Sequence, residues 1–187
     1  MGVPTGEPTL PYAVEMYFDP DTETAVRAIW SEMAAAGVDD TQLRPGFRPH
    51  LSLAVCGSCD EESLLPLLAR FAREIEPFPV TLGSVGLFAD PDAVVFLAPI
   101  ASEQLIEVHR RFTEQSRPFV QDVKVHYEVG RWIPHCTLAR KLRDERTYRA
   151  ISIAAGVGLP WRGRIVALGL SMFRPAVVRS VYPFGRG

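Results

Sequence analysis

From residue 12 onward, short apolar runs alternate with amphipathic stretches. "YAVEMYF" (12–18) reads as a strand and is followed by Asp-Pro-Asp, a helix-start signal. Val26, Ile29, Trp30 and Met33 then fall at i, i+3, i+4 and i+7, which predicts an amphipathic helix stopped at Gly37. "HLSLAV" (50–55) alternates with period two, as a strand with one covered face does. Leu64, Leu67, Leu68, Phe71 and Ile75 line one face of a second helix, whose start Pro66 places at about residue 62 or 63, since proline fits the first turn. "VTLGSVGLF" (80–88) and "AVVFLAPI" (93–100) read as paired strands around the turn "ADPD".

The pattern then repeats. Residues 102–116 carry Leu105, Val108 and Phe112 on one helical face, and a long polar loop leads to the strand "HCTLAR" (135–140). A helix over 144–156 and the strands "RIVALGLSMF" (164–173) and "AVVRSVYPF" (176–184), turning at "RPA", complete the second round. "FRPHLSLAV" (47–55) and "WIPHCTLAR" (132–140) share aromatic, Pro, His, Ser or Thr, Leu and Ala at corresponding places, each pair 85 positions apart. "VTLGSVGLF" and "IVALGLSMF" keep that offset and both end in Phe, and "AVV" at 93–95 matches "AVV" at 176–178. The expectation is an α+β fold: one domain over 1–187 made of two related lobes, 12–88 and 93–184. Two mostly antiparallel sheets flanked by helices would face each other across a central groove, related by a pseudo-twofold axis.

A chain of 187 residues can bury a sizeable core, and its formal charge of −2 argues against a broad electrostatic grip on long nucleic acid. A small nucleotide or RNA end, held by a few local arginines, remains compatible. No run approaches the length of a bilayer span, and "MGVPTGEPTLPY" lacks the basic and apolar regions of a secretory signal, so a cytoplasmic protein is expected. Three cysteines do not make a disulfide framework; Cys56 and Cys59 in "CGSC" are read as free thiols rather than a redox or zinc pair.

Strand periodicity puts His50, Ser52 and Ala54 on one face and His135, Thr137 and Ala139 on the corresponding face of the second copy. Meeting across a groove, they would supply two imidazoles and two hydroxyls, with alanines leaving room for a ligand. A neutral imidazole can take a proton from attacking water while an opposed imidazolium gives one to the leaving oxygen. The hydroxyls can donate to non-bridging phosphate oxygens. No third histidine or carboxylate stands near either motif in sequence, so no metal is expected.

Other polar positions carry less. His109 lies on an apolar helix face and is read as structural, and His126 as an exposed loop residue. Glu15, mid-strand with Tyr17 on its face, must either face the groove or pair with a cation. Arg48 and Arg131 precede the motifs and either neutralise phosphate or sit solvated. Phe47 and Trp132 either stack on a base or orient the start of the strand.

The two H-x-[S/T]-hydrophobic motifs, with their flanking Pro and Ala, resemble those of the two-histidine (2H) phosphoesterase superfamily. "PHCTLAR" in particular is similar to the second motif of the LigT-like, 2′-5′ RNA ligase branch. That resemblance implies the bilobal fold, no cofactor, and a cyclic phosphodiesterase, with 2′-5′ ligase activity left open. His50 and His135 would be catalytic, with Ser52 and Thr137 on the phosphate. It also implies loss of O3′ from a 2′,3′-cyclic phosphate to give a 2′-phosphate. Glu15, Tyr17, Arg48, Arg131 and Trp132 are candidates for contacting substrate, and a monomer is expected. The competing expectation is a nucleotide-binding module of the same fold without efficient turnover.

Overall fold

The computed structural model describes residues 12–89, 92–173 and 176–185. In chain order the elements are β1 (Tyr12–Phe18), α1 (Pro20–Ala35), β2 (His50–Cys56), β3 (Ser58–Cys59), α2 (Glu61–Arg73), β4 (Phe78–Phe88), β5 (Ala93–Pro99), α3 (Glu103–Ser116), β6 (Val120–Gln121), β7 (Cys136–Leu142), α4 (Glu145–Ala155), β8 (Trp161–Met172) and β9 (Val177–Pro183). Among the described residues every ladder is antiparallel. The expected turns "ADPD" and "RPA" include Asp90, Pro91, Arg174 and Pro175, which lie outside the described residues.

The elements begin and end where local chemistry dictates. Asp19 caps α1 by accepting from the Thr22 amide at 3.0 Å, and Gly37 follows the helix at φ 67°. Ser102 caps α3 in the same way. The second helix departs from expectation. It starts at Glu61, so Pro66 sits in its interior. Asp60 caps its start by accepting from the Ser63 amide, and the buried stripe Leu64, Leu67, Leu68, Phe71 and Ala72 holds the helix in place despite the donor that proline lacks. A further small ladder pairs β3 with β6; two residues per strand leave no period to read in the sequence.

The strands run in the order β2-β1-β8-β4-β5-β7, with β9 also on β8. The two halves expected as separate sheets are therefore joined through β8, which pairs with β1 over residues 165–172 and with β4 over 161–165. Strands from residues 12–88 and from residues 93–184, the two expected units, alternate at the centre of the sheet. β1 of the first unit lies between β2 and β8; β5 of the second lies between β7 and β4. Topologically β5 thus corresponds to β1, which displaces the "AVV" match of 93–95 with 176–178, because β9 is an added strand on β8. The helices cross over as well: α1 packs against β7, and α3 against β2.

One face of the sheet is covered by the helices. Val14, Met16 and Phe18 of β1, Leu51 and Leu53 of β2, Val95 and Leu97 of β5, and Cys136 and Leu138 of β7 pack with Ile29, Trp30, Leu68, Phe71 and Phe112. The alternate residues of β1, β2 and β7 include Glu15, Tyr17, His50, Ser52 and Thr137, whereas those of β5 are Val94, Phe96 and Ala98. Glycine permits close approach at two matching places: a Cβ at Gly169 would strike the Ser180 carbonyl, and one at Gly86 would strike the Phe96 ring.

Phe71 is fully buried and meets Phe112 edge-on with ring centroids 6.0 Å apart. Phe71→Ala should cost about 3–5 kcal/mol, read as a lowered urea midpoint with unchanged slope.

Candidate active site

His50 opens β2, and His135 stands one residue before β7, so the second imidazole precedes the strand expected to contain it. In each motif Nδ1 faces the carbonyl two residues back: Arg48 at 2.6 Å from His50, Ile133 at 2.7 Å from His135. The intervening Pro49 and Pro134 fix their own φ and hold the preceding residue extended, so that carbonyl is set relative to the ring. A carbonyl only accepts, so Nδ1 carries a proton in both rings and Nε2 is the nitrogen free for chemistry.

The motifs meet. β2 and β7 are in contact, and His50 is close enough for its charge to oppose a second charge on His135. Ser52 is buried and Thr137 half-buried, and both are anchored through their carbonyls by indoles from the opposite unit. Trp132 Nε1 donates to the Ser52 carbonyl at 3.0 Å, and Trp30 Nε1 donates to that of Thr137 at 3.0 Å. The Tyr127 phenol lies near Ser52, and burial pushes it up to about 12.

The remaining candidates fall into two groups. Glu15 and Tyr17 are buried beside His50: Glu15 Oε1 is 3.4 Å from His50 Nε2, and Tyr17 donates to Glu15 Oε2 at 2.9 Å. Arg48 lies 4.3 Å over the Tyr17 ring and is paired with Glu23 at 2.7 Å. Trp132 stacks on His109, centroids 4.1 Å apart and planes at 4°, so its ring is committed to packing. Phe47 likewise stacks on Phe173, at 6.4 Å. Arg131 is exposed and pairs with Glu128 at 3.7 Å.

Sequence reasoning missed Tyr127, Ser171, Phe88 and Phe96. Ser171 donates to Glu15 Oε2 at 2.6 Å; a polar residue inside an apolar strand was the available signal. Phe88 and Phe96 pack on the His135 ring at 4.9 and 5.3 Å, hidden in runs that read simply as core. Tyr127 comes from a single 3-10 turn, Val125–Tyr127, in a loop without periodicity.

Burial pushes the thiols up: Cys56 to about 12, Cys59 to about 11 and Cys136 to about 12, which suppresses thiolate chemistry. Among the described residues no group of three or more His, Cys, Asp or Glu is placed to hold a metal, and no helix is long and apolar enough to cross a membrane.

Burial also pushes His109 and His135 below the ordinary histidine range. His109 is enclosed, with Nε2 at 3.0 Å from the Tyr127 carbonyl. A neutral native histidine binds fewer protons than its unfolded counterpart. Its contribution is therefore complete above the unfolded value of about 6.5 and is lost as pH falls through the lower native one. His109→Gln should accordingly lose less thermal stability than the parent between about pH 8 and pH 5. Equal losses would mean that His109 is not held neutral.

The family model described as "2'-5' RNA ligase superfamily" matches residues 18–172. The RNA 2',3'-cyclic phosphodiesterase of Bacillus subtilis is 31% identical over 106 residues, 54% of this chain and 56% of that protein. The chain thus spans about half the length of the curated relatives it matches. Among solved structures, Escherichia coli LigT in its apo form superposes with a TM-score of 0.57 at 18% identity, over 95% of this chain and 98% of that one. A protein of Thermus thermophilus gives 0.58 at 18% identity, over 95% and 100%. LigT has also been crystallised with phosphate and with 3'-AMP. With a fold shared along nearly its whole length and a family match covering both histidine motifs, this chain belongs to the 2′-5′ RNA ligase superfamily, the LigT-like two-histidine phosphoesterases.

Proposed function

We propose that this protein is a phosphodiesterase that opens 2′,3′-cyclic phosphates of nucleotides or RNA ends to 2′-phosphates, using His50 and His135 as an acid–base pair. The observation that carries the reading is the matched pair of imidazoles. Each has Nδ1 committed to the carbonyl two residues back, and they come from two motifs that touch. The name of the Bacillus subtilis relative supports the substrate class.

Phosphate sits between the rings, where the hydroxyls of Ser52 and Thr137 donate to its non-bridging oxygens as charge develops. Water, deprotonated by one Nε2, attacks phosphorus in line with the ribose oxygen that leaves. The other imidazole protonates that oxygen as the P–O bond breaks, so the protons balance over the turnover. The anchoring of both carbonyls by indoles fixes the hydroxyls before substrate arrives. The enzyme acts as a cytoplasmic monomer, without cofactor, on a small nucleotide or RNA end.

With 2′,3′-cyclic AMP, phosphorus NMR should show the 2′-phosphate; a clean 3′-phosphate would mean that the ribose binds the other way round. His50→Ala and His135→Ala should each lower kcat by about 10²–10⁴-fold, and the double variant should be scarcely worse than the worse single one. Ser52→Ala and Thr137→Val should cost about 10–10³-fold each. Excess EDTA should leave the rate unchanged. Binding of the cyclic nucleotide with no turnover would convert the reading to a nucleotide-binding module.

A further inference from the structure

The two histidines stand in matched positions but on unlike floors. Glu15 lies opposite Ser52 on β2 and Gly169 on β8; Phe96 lies opposite Thr137 on β7 and Gly86 on β4. Glu15 and Phe96 are therefore counterparts under the pseudo-twofold relation. Two residues earlier, Ala13 faces Ser171 and Val94 faces Phe88, so Ser171 and Phe88 are counterparts too. The 85-residue offset, which sets Phe88 against Phe173, slips by two at this strand. One imidazole thus rests on a carboxylate and a hydroxyl, the other on two phenyl rings whose centroids are 4.5 Å apart.

The hydrogen bonds decide what each floor does. Glu15 Oε2 accepts from Ser171 at 2.6 Å and from Tyr17 at 2.9 Å, leaving Oε1 turned to His50 Nε2 at 3.4 Å. Both hydroxyl donors fall on one oxygen of this buried carboxylate, and its other oxygen has the His50 ring nitrogen as its neighbour. His50 then has an oxygen facing each ring nitrogen, an arrangement that a proton on both nitrogens fits. His135 has one, the Ile133 carbonyl, and is otherwise packed against the rings of Phe88, Phe96 and Tyr127. A contact of 3.4 Å is longer than a tight hydrogen bond, so the His50 Nε2 proton stays available to a leaving oxygen. Other ionisable groups facing this cluster are Arg48 over Tyr17, Tyr127 near Ser52 with Arg140 beyond it, and His135, which His126 faces in turn.

Resting on the phosphodiesterase reading above, we propose that Glu15, fixed by Tyr17 and Ser171, is a positioning residue that keeps His50 charged. His50 is then the general acid that protonates the leaving oxygen, and His135 the general base that takes the proton from water.

Two measurements on the full chain test this. Nitrogen-15 NMR of the histidine rings at pH 7 should show His50 protonated at both nitrogens and His135 at Nδ1 alone. In Glu15→Gln the doubly protonated fraction of His50 should drop. Kinetically, Glu15→Gln should lose about tenfold or more in kcat/KM at pH 8 and much less at pH 6, because an acid without its carboxylate is deprotonated sooner as pH rises. A merely structural role would lower both rates alike. Unchanged His50 protonation in Glu15→Gln, or a pH-independent loss, overturns the proposal. If Glu15→Gln fails to fold, the double variant Tyr17→Phe with Ser171→Ala frees the carboxylate and should move both readouts in the same direction; no movement overturns it equally. Should no cyclic phosphate be turned over, the reaction assignment fails, while the NMR comparison still decides whether Glu15 sets the charge of His50.

Discussion

Everything at the site depends on what happens at one nitrogen of each imidazole. A histidine free to rotate and to choose its tautomer is a poor acid or base. Here the carbonyl two residues back takes Nδ1 in both rings, and a proline between them holds that carbonyl in place. The remaining nitrogen is presented with known chemistry in a known direction. This lock is local, spanning three residues, and the rest of the fold brings two such locks together.

The interleaved topology does that work. Because β1 takes β8 as a neighbour and β5 takes β4, each motif strand lies in a half of the sheet built from both repeat units. The indoles extend the exchange: Trp30 rides on α1 but anchors the second motif, and Trp132 precedes the second motif but anchors the first. A buried carbonyl left without its donor costs about 1–3 kcal/mol, so these two bonds tie the stability of the core to the geometry of the hydroxyls.

The motifs, the strands that bear them and the α+β repeat were legible because they are periodic and duplicated. Period-two alternation alone could set His50 with Ser52 and His135 with Thr137, each pair on its own stretch of chain. The pairing of β8 with both β1 and β4 was not legible, since strand order is decided by contacts between distant segments that a local pattern does not record. Pro66 misled for a related reason: a capped helix with five buried side chains on one face outweighs the loss of one backbone donor. Glu15 was noticed as a carboxylate in an apolar strand with Tyr17 on its face, but its other partners, Ser171 and His50, come from two neighbouring strands that only the fold brings to it. Phe88 and Phe96 gave no sign at all, because a phenyl ring beneath a histidine has the same hydropathy as one in the core.

The interleaving of the two units bears on symmetry itself. A single unit, β1 to β4, supplies one lock and lacks the strand that should flank β1; two identical copies exchanging strands would complete each other as a dimer. Such a dimer is obliged to set the same side chain beneath both imidazoles. Joined in one chain, the two positions vary separately, and here they do: glutamate on one side, phenylalanine on the other. Covalent linkage thereby lets one pocket hold two chemically different versions of the same residue, a division of labour that a symmetric pair of subunits could reach only by breaking its own twofold axis.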